Sequence, residues 1–441
     1  MSADAAPGPS IVARPTGALD GEPRRMHVLN VGGAGMSAVA TVLAQMGHQA
    51  SGIGHDETPF LPRLRDLGVH VTVGDASAPP TGALFVTSTA TPVDHPDLAG
   101  VDPARIVHRR DVLATIGAGR PVVGVAGTHG KSTTTGMLAT IARSVDADSG
   151  YLAGTVITGL GNNADWGRAA RPFIVEADES DGTFLRLGAR HGIVTNVEAD
   201  HLAFWGSLDA LRAGFEAFVA ELSGVAVIDL DDPEAARLVA AAHSPVTYGT
   251  DPGADHHIDA VRTVGIDVHY RHTVTATGAV AEVTVPAAPG VHNASNAAAA
   301  IATAMAVFDT DVATAASALG TRRCCARASF LGLELGQAGA ARLGLLRVPD
   351  TRLELLPPVV PPGHPSSEAP DAGGLGSVQR LVELDRAQRL ALRFLEPLER
   401  GQRRGPAASE DRDESVSLRQ RALGAIDGLV GERERLLLSL E

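Results

Sequence analysis

The sequence predicts an α/β protein with mostly parallel sheets. Two observations carry this. Apolar runs of strand length alternate with Ala/Leu-rich helical segments over the first 320 residues, and two of the strand-to-helix junctions are glycine-rich turns.

In chain order, Met1 to Arg25 is polar and Pro/Gly/Ala-rich and lacks the apolar core of a signal peptide, so residues 1–25 read as a disordered leader. Met26 to Val31 is an apolar strand running into Gly32-Gly33-Ala34-Gly35-Met36-Ser37 and a helix to about Met46. Strands follow near Gln49 to Ile53, Val69 to Val73 and Leu84 to Thr87, which gives a Rossmann-like domain over residues 26–118. In a dinucleotide fingerprint the glycines would fall at 30, 32 and 35, but position 30 is Asn30, a residue that tolerates left-handed geometry. The acid that should end the second strand and hold a ribose is replaced by Gly54, with Asp56 two residues on. By itself this turn fits a nucleotide site and plain tight packing of helix on strand equally well.

The second turn is more specific. Pro121 to Ala126 leads as a buried strand into Gly127-Thr128-His129-Gly130-Lys131-Ser132-Thr133, and a helix continues to about Arg143. That is the layout of a phosphate-binding loop: glycines let the backbone approach an anion, helix amides point at it, and the helix dipole favours its charge. Lys131 supplies a point charge for the β/γ-phosphates and Ser132 a hydroxyl for Mg²⁺. The strict pattern wants glycine where this chain has Val125, yet Lys131 is the only lysine present and every other permanently charged basic side chain is arginine. The central domain, residues 119–320, is therefore expected to be P-loop-type.

Two acidic clusters then follow strands. Phe173 to Val175 runs into Glu176-Ala177-Asp178-Glu179-Ser180-Asp181-Gly182, and Gly192 to Asn196 into Val197-Glu198-Ala199-Asp200-His201. Ligands of open α/β sheets gather at carboxyl ends of strands, so these acids should face the phosphate loop and can hold Mg²⁺. His201 is the odd member, since imidazole suits softer metals. Gly224 to Ile228 is a further strand, Asp231-Asp232-Pro233 opens a helix, and Thr263 to Val285 reads as an antiparallel pair. His292-Asn293-Ala294-Ser295-Asn296 starts an Ala-rich helix to about Val307, where Asn and His serve as caps or reach a bound base.

Composition sets the class: 441 residues, 44% hydrophobic and 20% charged, is a globular chain of several domains. A net charge of -14 argues against nucleic acid or an anionic membrane as partner, and no apolar run is long enough to span a membrane. Adjacent Cys324 and Cys325 suit neither a disulfide framework nor a metal site, which fits a reducing, cytoplasmic setting.

Together, Gly32 to Ser37, Ser88 to Pro96, Gly127 to Thr134, Glu176 to Phe184, Thr195 to Leu202 and His292 to Asn296 resemble the Mur ligases, in the family's order, over about residues 26–318. The resemblance implies a UDP-binding domain, a central ATPase domain and a C-terminal domain that helps bind an amino acid. The glycine turn GGAGMS favours the member that adds L-alanine to UDP-N-acetylmuramate through an acyl phosphate, over the ligase that recycles murein peptide. By position, the resemblance implies catalytic Lys131, Glu176 and His201; ATP on Gly127, Thr128, His129, Gly130, Lys131, Ser132, Thr133, His292, Asn293 and Asn296; and Mg²⁺ on Ser132, Glu176 and His201. The UDP-sugar would meet Gly32, Gly33, Gly35, Met36, Ser37 and Ser88.

Departures are equally plain. Asn30, Gly54 and Ala203 stand where the family has glycine, an acid and an acid, and after about Gly320 the family's Arg-Arg-Phe and Asp-Asp-Tyr-Ala-His-His-Pro segments are absent. Residues 321–441 read instead as irregular or partly helical, Pro-rich over Leu356 to Asp371, with amphipathic stretches at Val378 to Leu398 and Leu418 to Leu440. The expectation is a frame-shifted or foreign segment in place of the third domain. Two other readings follow: a nucleotide-binding remnant that forms no amide, and a nicotinamide-dependent oxidoreductase, which the missing acid at 54 and the second phosphate site oppose.

Overall fold

A computed structural model describes residues 23–74, 80–92, 94–288 and 290–321. The expectations for residues 1–22 and 322–441 lie outside these. Five parallel strands, β1 (Arg25–Leu29), β2 (Gln49–Gly54), β3 (His70–Val73), β4 (Leu84–Thr87) and β5 (Ile106–His108), form the first sheet in the order β3-β2-β1-β4-β5. Between and after them run α1 (Ala34–Gln45), α2 (Leu61–Asp66) and α3 (Arg109–Gly117). Arg25, expected in the leader, instead opens β1 and pairs with Gln49. β1 is buried from Met26 to Leu29, as a central parallel strand covered on both faces must be.

The second sheet has ten strands: β6 (Val122–Ala126), β7 (Gly150–Ile157), β8 (Asn162–Asp165), β9 (Phe173–Glu176), β10 (His191–Val194), β11 (Ala226–Asp229), β12 (Pro245–Gly249), β13 (His256–Val264), β14 (Asp267–Val274) and β15 (Ala279–Val285). Their order is β15-β14-β13-β12-β11-β10-β6-β9-β7-β8, parallel from β13 through β7 and antiparallel at both ends. The helices are α4 (Lys131–Val145), α5 (Leu202–Trp205), α6 (Leu208–Glu221), α7 (Pro233–Arg237), α8 (His292–Phe308) and α9 (Val312–Thr321).

Strand alternation divides the core. Val123 and Val125 of β6 pack with Met137, Leu138 and Ile141 of α4 and the alanines of α8, whereas Val122 and Ala126 join Phe215 and Phe218 of α6 on the opposite face. The small side chains of α8 let it lie close against α4, and the absence of a side chain at Gly124 does the same for α6: a Cβ there would stand 3.2 Å from Phe218 Cζ. The second core cluster also takes in β1 and α1, so one apolar body runs from the first sheet into the second.

The stretch read as an antiparallel pair is a three-stranded meander, β13 to β15, whose first strand begins at His256. Its start was obscured by His256 and His257, which break the valine alternation. His256 Nδ1 and His272 Nε2 lie 2.9 Å apart in the core, and burial pushes the His272 imidazole down to about 3, so the pair is neutral and behaves as packing.

Candidate functional site

Strands β6, β9 and β10 are neighbours in the sheet, so the loops leaving their carboxyl ends converge. Gly127 has φ +132° and Gly130, at the start of α4, has φ +81°; a Cβ on Gly127 would fall 2.0 Å from Thr195 Oγ1. Only glycine suits either position. Asn196 clasps the loop from β10: its Oδ1 accepts from His129 N at 2.8 Å and its Nδ2 donates to His129 O at 3.1 Å, while Thr195 Oγ1 donates to the same carbonyl at 2.6 Å. Thr128 Oγ1 accepts from Glu198 N at 2.8 Å, so the loop is stitched to the second acidic cluster as well.

Lys131 Nζ donates to Gly127 O at 2.7 Å, to Thr128 O at 3.0 Å and to Glu179 Oε1 at 2.9 Å, with Glu179 Oε2 also 2.8 Å away. Glu179 is 1% exposed; burial raises its carboxyl above the usual range, and the lysine charge opposes that rise without cancelling it. Ser132 Oγ donates to Glu176 Oε1 at 2.8 Å, and Gly154 N donates to Glu176 Oε2 at 2.7 Å. His201, in left-handed geometry at φ +52°, has Nε2 3.8 Å from Glu179 Oε1 and 3.7 Å from Asp200 Oδ2. Among the described residues no hydrogen bond joins it to Ser132 or Glu176, and no group of three or more His, Cys, Asp or Glu is gathered in a metal-holding geometry.

The first residues of α8 abut the loop. Asn296 Oδ1 accepts from Thr134 Oγ1 at 3.2 Å and its Nδ2 donates to Asn293 Oδ1 at 3.0 Å, both asparagines being buried. A Cβ on Gly130 would stand 2.5 Å from Asn296 Oδ1. His292 is exposed at the helix start, and His129 also faces solvent, 3.6 Å from Glu198. Thr133 lies half-buried in the first turn of α4.

The other glycine turn joins β1 to α1. Asn30 is left-handed at φ +54°, as the sequence requires, and its carbonyl accepts from Gly33 N at 2.9 Å. A Cβ on Gly54 would lie 3.2 Å from Gly32 N, so the missing acid leaves room for the turn itself. Gly32, Gly33 and Gly35 line this turn. Met36 and Ser37 are instead buried: Ser37 Oγ donates to Ala34 O at 2.9 Å and accepts from Asn163 Nδ2 at 3.0 Å. Asn163, on β8, also donates to Ala34 O at 2.8 Å, and Trp166 N donates to Gln45 Oε1 at 2.7 Å, so both ends of α1 are tied to the second sheet. Ser88 N donates to Thr91 Oγ1 at 3.1 Å.

Between the two turns lies a network that sequence reading did not assign. Arg109 Nη2 donates to Asp178 Oδ2 at 3.1 Å and Asp181 Oδ2 at 3.2 Å, and Thr89 Oγ1 donates to Asp181 Oδ2 at 2.9 Å. Burial pushes the Asp178 carboxyl up, but the Ser180 hydrogen bonds and Arg109 outweigh it and hold the group below its ordinary value. Glu179 could have been found in the acidic run; nothing in the Arg109-Arg110 pair marks either as special.

Residues 125–304 match the Mur ligase middle domain, and residues 25–120 match the catalytic domain of the Mur ligase family. Over 309 residues the chain is 37% identical to the UDP-N-acetylmuramate–L-alanine ligase of Nitrobacter winogradskyi, covering 67% of this chain and 66% of that protein. With the enzyme of the same name from Thermobifida fusca it shares 39% over 298 residues, 66% of this chain and 62% of that one. The crystal structure of a UDP-N-acetylmuramate-alanine ligase from Thermotoga maritima aligns with a TM-score of 0.60 at 26% identity, covering 68% of this chain and 69% of that one. The chain thus spans just under two thirds of the length of these two sequence relatives.

Proposed function

The chain belongs to the Mur ligase family, and on that premise we propose that it ligates L-alanine to the carboxylate of UDP-N-acetylmuramate, driven by ATP, an early step in building peptidoglycan precursors. The observation that carries the proposal is the placement of the chain's single lysine: Lys131 sits at a helix N-terminus beside the Ser132–Glu176 pair, one loop away from the acids that contact the glycine-turn domain. A carboxylate is a poor electrophile. One of its oxygens attacks the γ-phosphorus of ATP, the bond to ADP breaks, and an acyl phosphate forms; the alanine amine then attacks the acyl carbon, giving amide, inorganic phosphate and a proton.

In this scheme the residues mainly position and neutralise. Amides of the Gly127–Lys131 loop and the Lys131 ammonium hold the β/γ-phosphates, once the lysine exchanges Glu179 for them. The first-turn amides of α1 take the diphosphate of the sugar nucleotide, with Gly32, Gly33 and Gly35 permitting close approach. Asn293, Asn296 and His292 border the adenosine. Mg²⁺ suits the donor set, because Ser132 and Glu176 present hard oxygens already in contact, and when bound it supplies charge neutralisation on the phosphates. His201 would join them only by turning away from Glu179 and Asp200. ATP and a nucleotide sugar as substrates place the reaction in the cytoplasm; among the described residues no helix is long and apolar enough to cross a membrane.

Phosphate release measured with UDP-N-acetylmuramate, ATP, Mg²⁺ and L-alanine, each omitted in turn, tests the proposal. Release that is indifferent to L-alanine or to the sugar nucleotide sinks it, and release dependent on murein tripeptide in place of alanine reassigns the amine donor. A second reading, a nucleotide-binding remnant, is favoured by one observation: the middle-domain match ends at residue 304, and the 120 residues after 321 lack the Arg-Arg-Phe and Asp-Asp-Tyr-Ala-His-His-Pro segments. ATP binding without amide formation is its signature, since lost orientation of the amine forfeits about 7–11 kcal/mol of barrier lowering.

A further inference from the structure

The segment from Asp178 to Asp181 touches both anion sites. Its aspartates face the glycine-turn domain, bonded to Arg109 and Thr89, while the glutamate between them turns the opposite way and grips Lys131. Support lies behind each contact. His108 Nδ1 accepts from Arg110 N at 3.2 Å, which leaves the ring proton on Nε2, 3.3 Å from Thr89 Oγ1; Thr89 in turn donates to Asp181. On the far side Trp205 Nε1 donates to Glu179 O at 3.1 Å. The segment is also bonded to itself, Ser180 N to Asp178 Oδ1 at 3.0 Å and Gly182 N to Glu179 O at 3.2 Å, so a displacement at one end is carried to the other.

Arg109 stands at the open end of this chain of contacts. Its Nη1 lies 3.0 Å from where a Cβ on Gly35 would be, in the first turn of α1, so the guanidinium reaches the glycine turn with one amino group and the acidic segment with the other. An anion at that turn competes with Asp178 and Asp181 for the same cation. Drawn toward Gly35, Arg109 leaves two carboxylates without their counter-charge. The segment then shifts, and Glu179 loosens from the lysine that ATP needs.

We propose that Arg109 is a positioning residue through which a sugar-nucleotide diphosphate at the α1 turn releases Lys131 from Glu179 and so tightens ATP binding. The inference rests on the ligase reading and adds a coupling between its two nucleotide sites. Coupling of this kind is reciprocal and is measured as a ratio of affinities.

The test uses the full chain with Mg²⁺ and a fluorescent ATP analogue, titrated with and without saturating UDP-N-acetylmuramate. The unaltered chain should bind the analogue about 5-fold or more tightly when the sugar nucleotide is present. In Arg109→Met the ratio should fall to about one, even at sugar-nucleotide concentrations raised until that site is full. Thr89→Val, which removes one hydrogen bond and no charge, serves if Arg109→Met fails to fold, and should at least halve the ratio. A ratio of one or below in an unaltered chain that binds both ligands, or an undiminished ratio in the folded variants, overturns the inference alone. Failure of the unaltered chain to bind either ligand overturns the ligase reading, and this inference with it.

Discussion

Replacing Lys131 with methionine keeps the stem and removes the ammonium, and two separate losses should follow. The first is stability. Glu179 is 1% exposed and loses its counter-charge in the variant, and breaking a buried pair from one side costs about 3–5 kcal/mol. Adding Glu179→Gln removes the orphaned charge, so the double variant should recover more than half of that loss in urea unfolding. The second loss is nucleotide binding. A charge-assisted contact to phosphate is worth about 1.5–3 kcal/mol, so the ATP dissociation constant should rise roughly 10- to 150-fold, and here the second substitution restores nothing. Isothermal titration with ATP and Mg²⁺ on single and double variants separates the two effects. Unaltered ATP affinity in Lys131→Met refutes the phosphate-loop assignment, and a stability loss that Glu179→Gln leaves in place refutes the buried ion pair.

Three other outcomes are expected. Glu176→Gln should raise the Mg²⁺ concentration needed for half-maximal phosphate release while metal-free ATP binding stays nearly constant; an unchanged Mg²⁺ requirement removes Glu176 from the metal site. Gly127→Ala forces a Cβ to within 2.0 Å of Thr195 Oγ1 at φ +132°, so it should destabilise by about 2–4 kcal/mol and abolish ATP binding. Gly161→Ala, at a milder φ of +76° with open space around it, gives the cost of a positive φ without a clash in the same unfolding assay. Asp229→Asn tests a buried acid at the end of β11, where burial pushes the carboxyl from an ordinary 3.8 up to about 6. The folded chain holds that proton more tightly than the unfolded one, so the stability it lends is complete below pH about 4 and lost as pH rises through about 6. The asparagine variant should therefore gain on the unaltered chain across that window, by up to about 3 kcal/mol at pH about 7; a pH-independent difference contradicts the shift.

Glycine-punctuated turns were legible because each forces a backbone geometry that few other residues tolerate: Gly127, Gly130 and even Asn30 sit where the sequence placed them. Most of the parallel strands were legible as apolar runs, but β12 was not, because Pro245, Thr247 and Gly249 interrupt it. Strands β7 and β8 were not, since Gly150, Gly154 and a pair of asparagines dilute any pattern, and β5, at three residues, is too short to have one. The same limit governs the site. Ser132 and Glu176 meet as their strand-end positions imply. Ser37, by contrast, is taken up by Asn163 from a hairpin more than a hundred residues away, and Arg109 by aspartates 69 and 72 residues further along the chain. Local spacing cannot encode a partner that arrives through the sheet order.

The two ties on α1 have a consequence for substrate choice. Asn163 grips its first turn and Trp166 N its last, so the glycine turn cannot swing toward or away from the phosphate loop without breaking bonds to the second sheet. The two proposed anion sites, held at one separation, would act as a gauge. In the proposed reaction that gauge measures the span from diphosphate to reacting carboxylate, and a nucleotide sugar with a longer or shorter spacer can fill one end only by vacating the other.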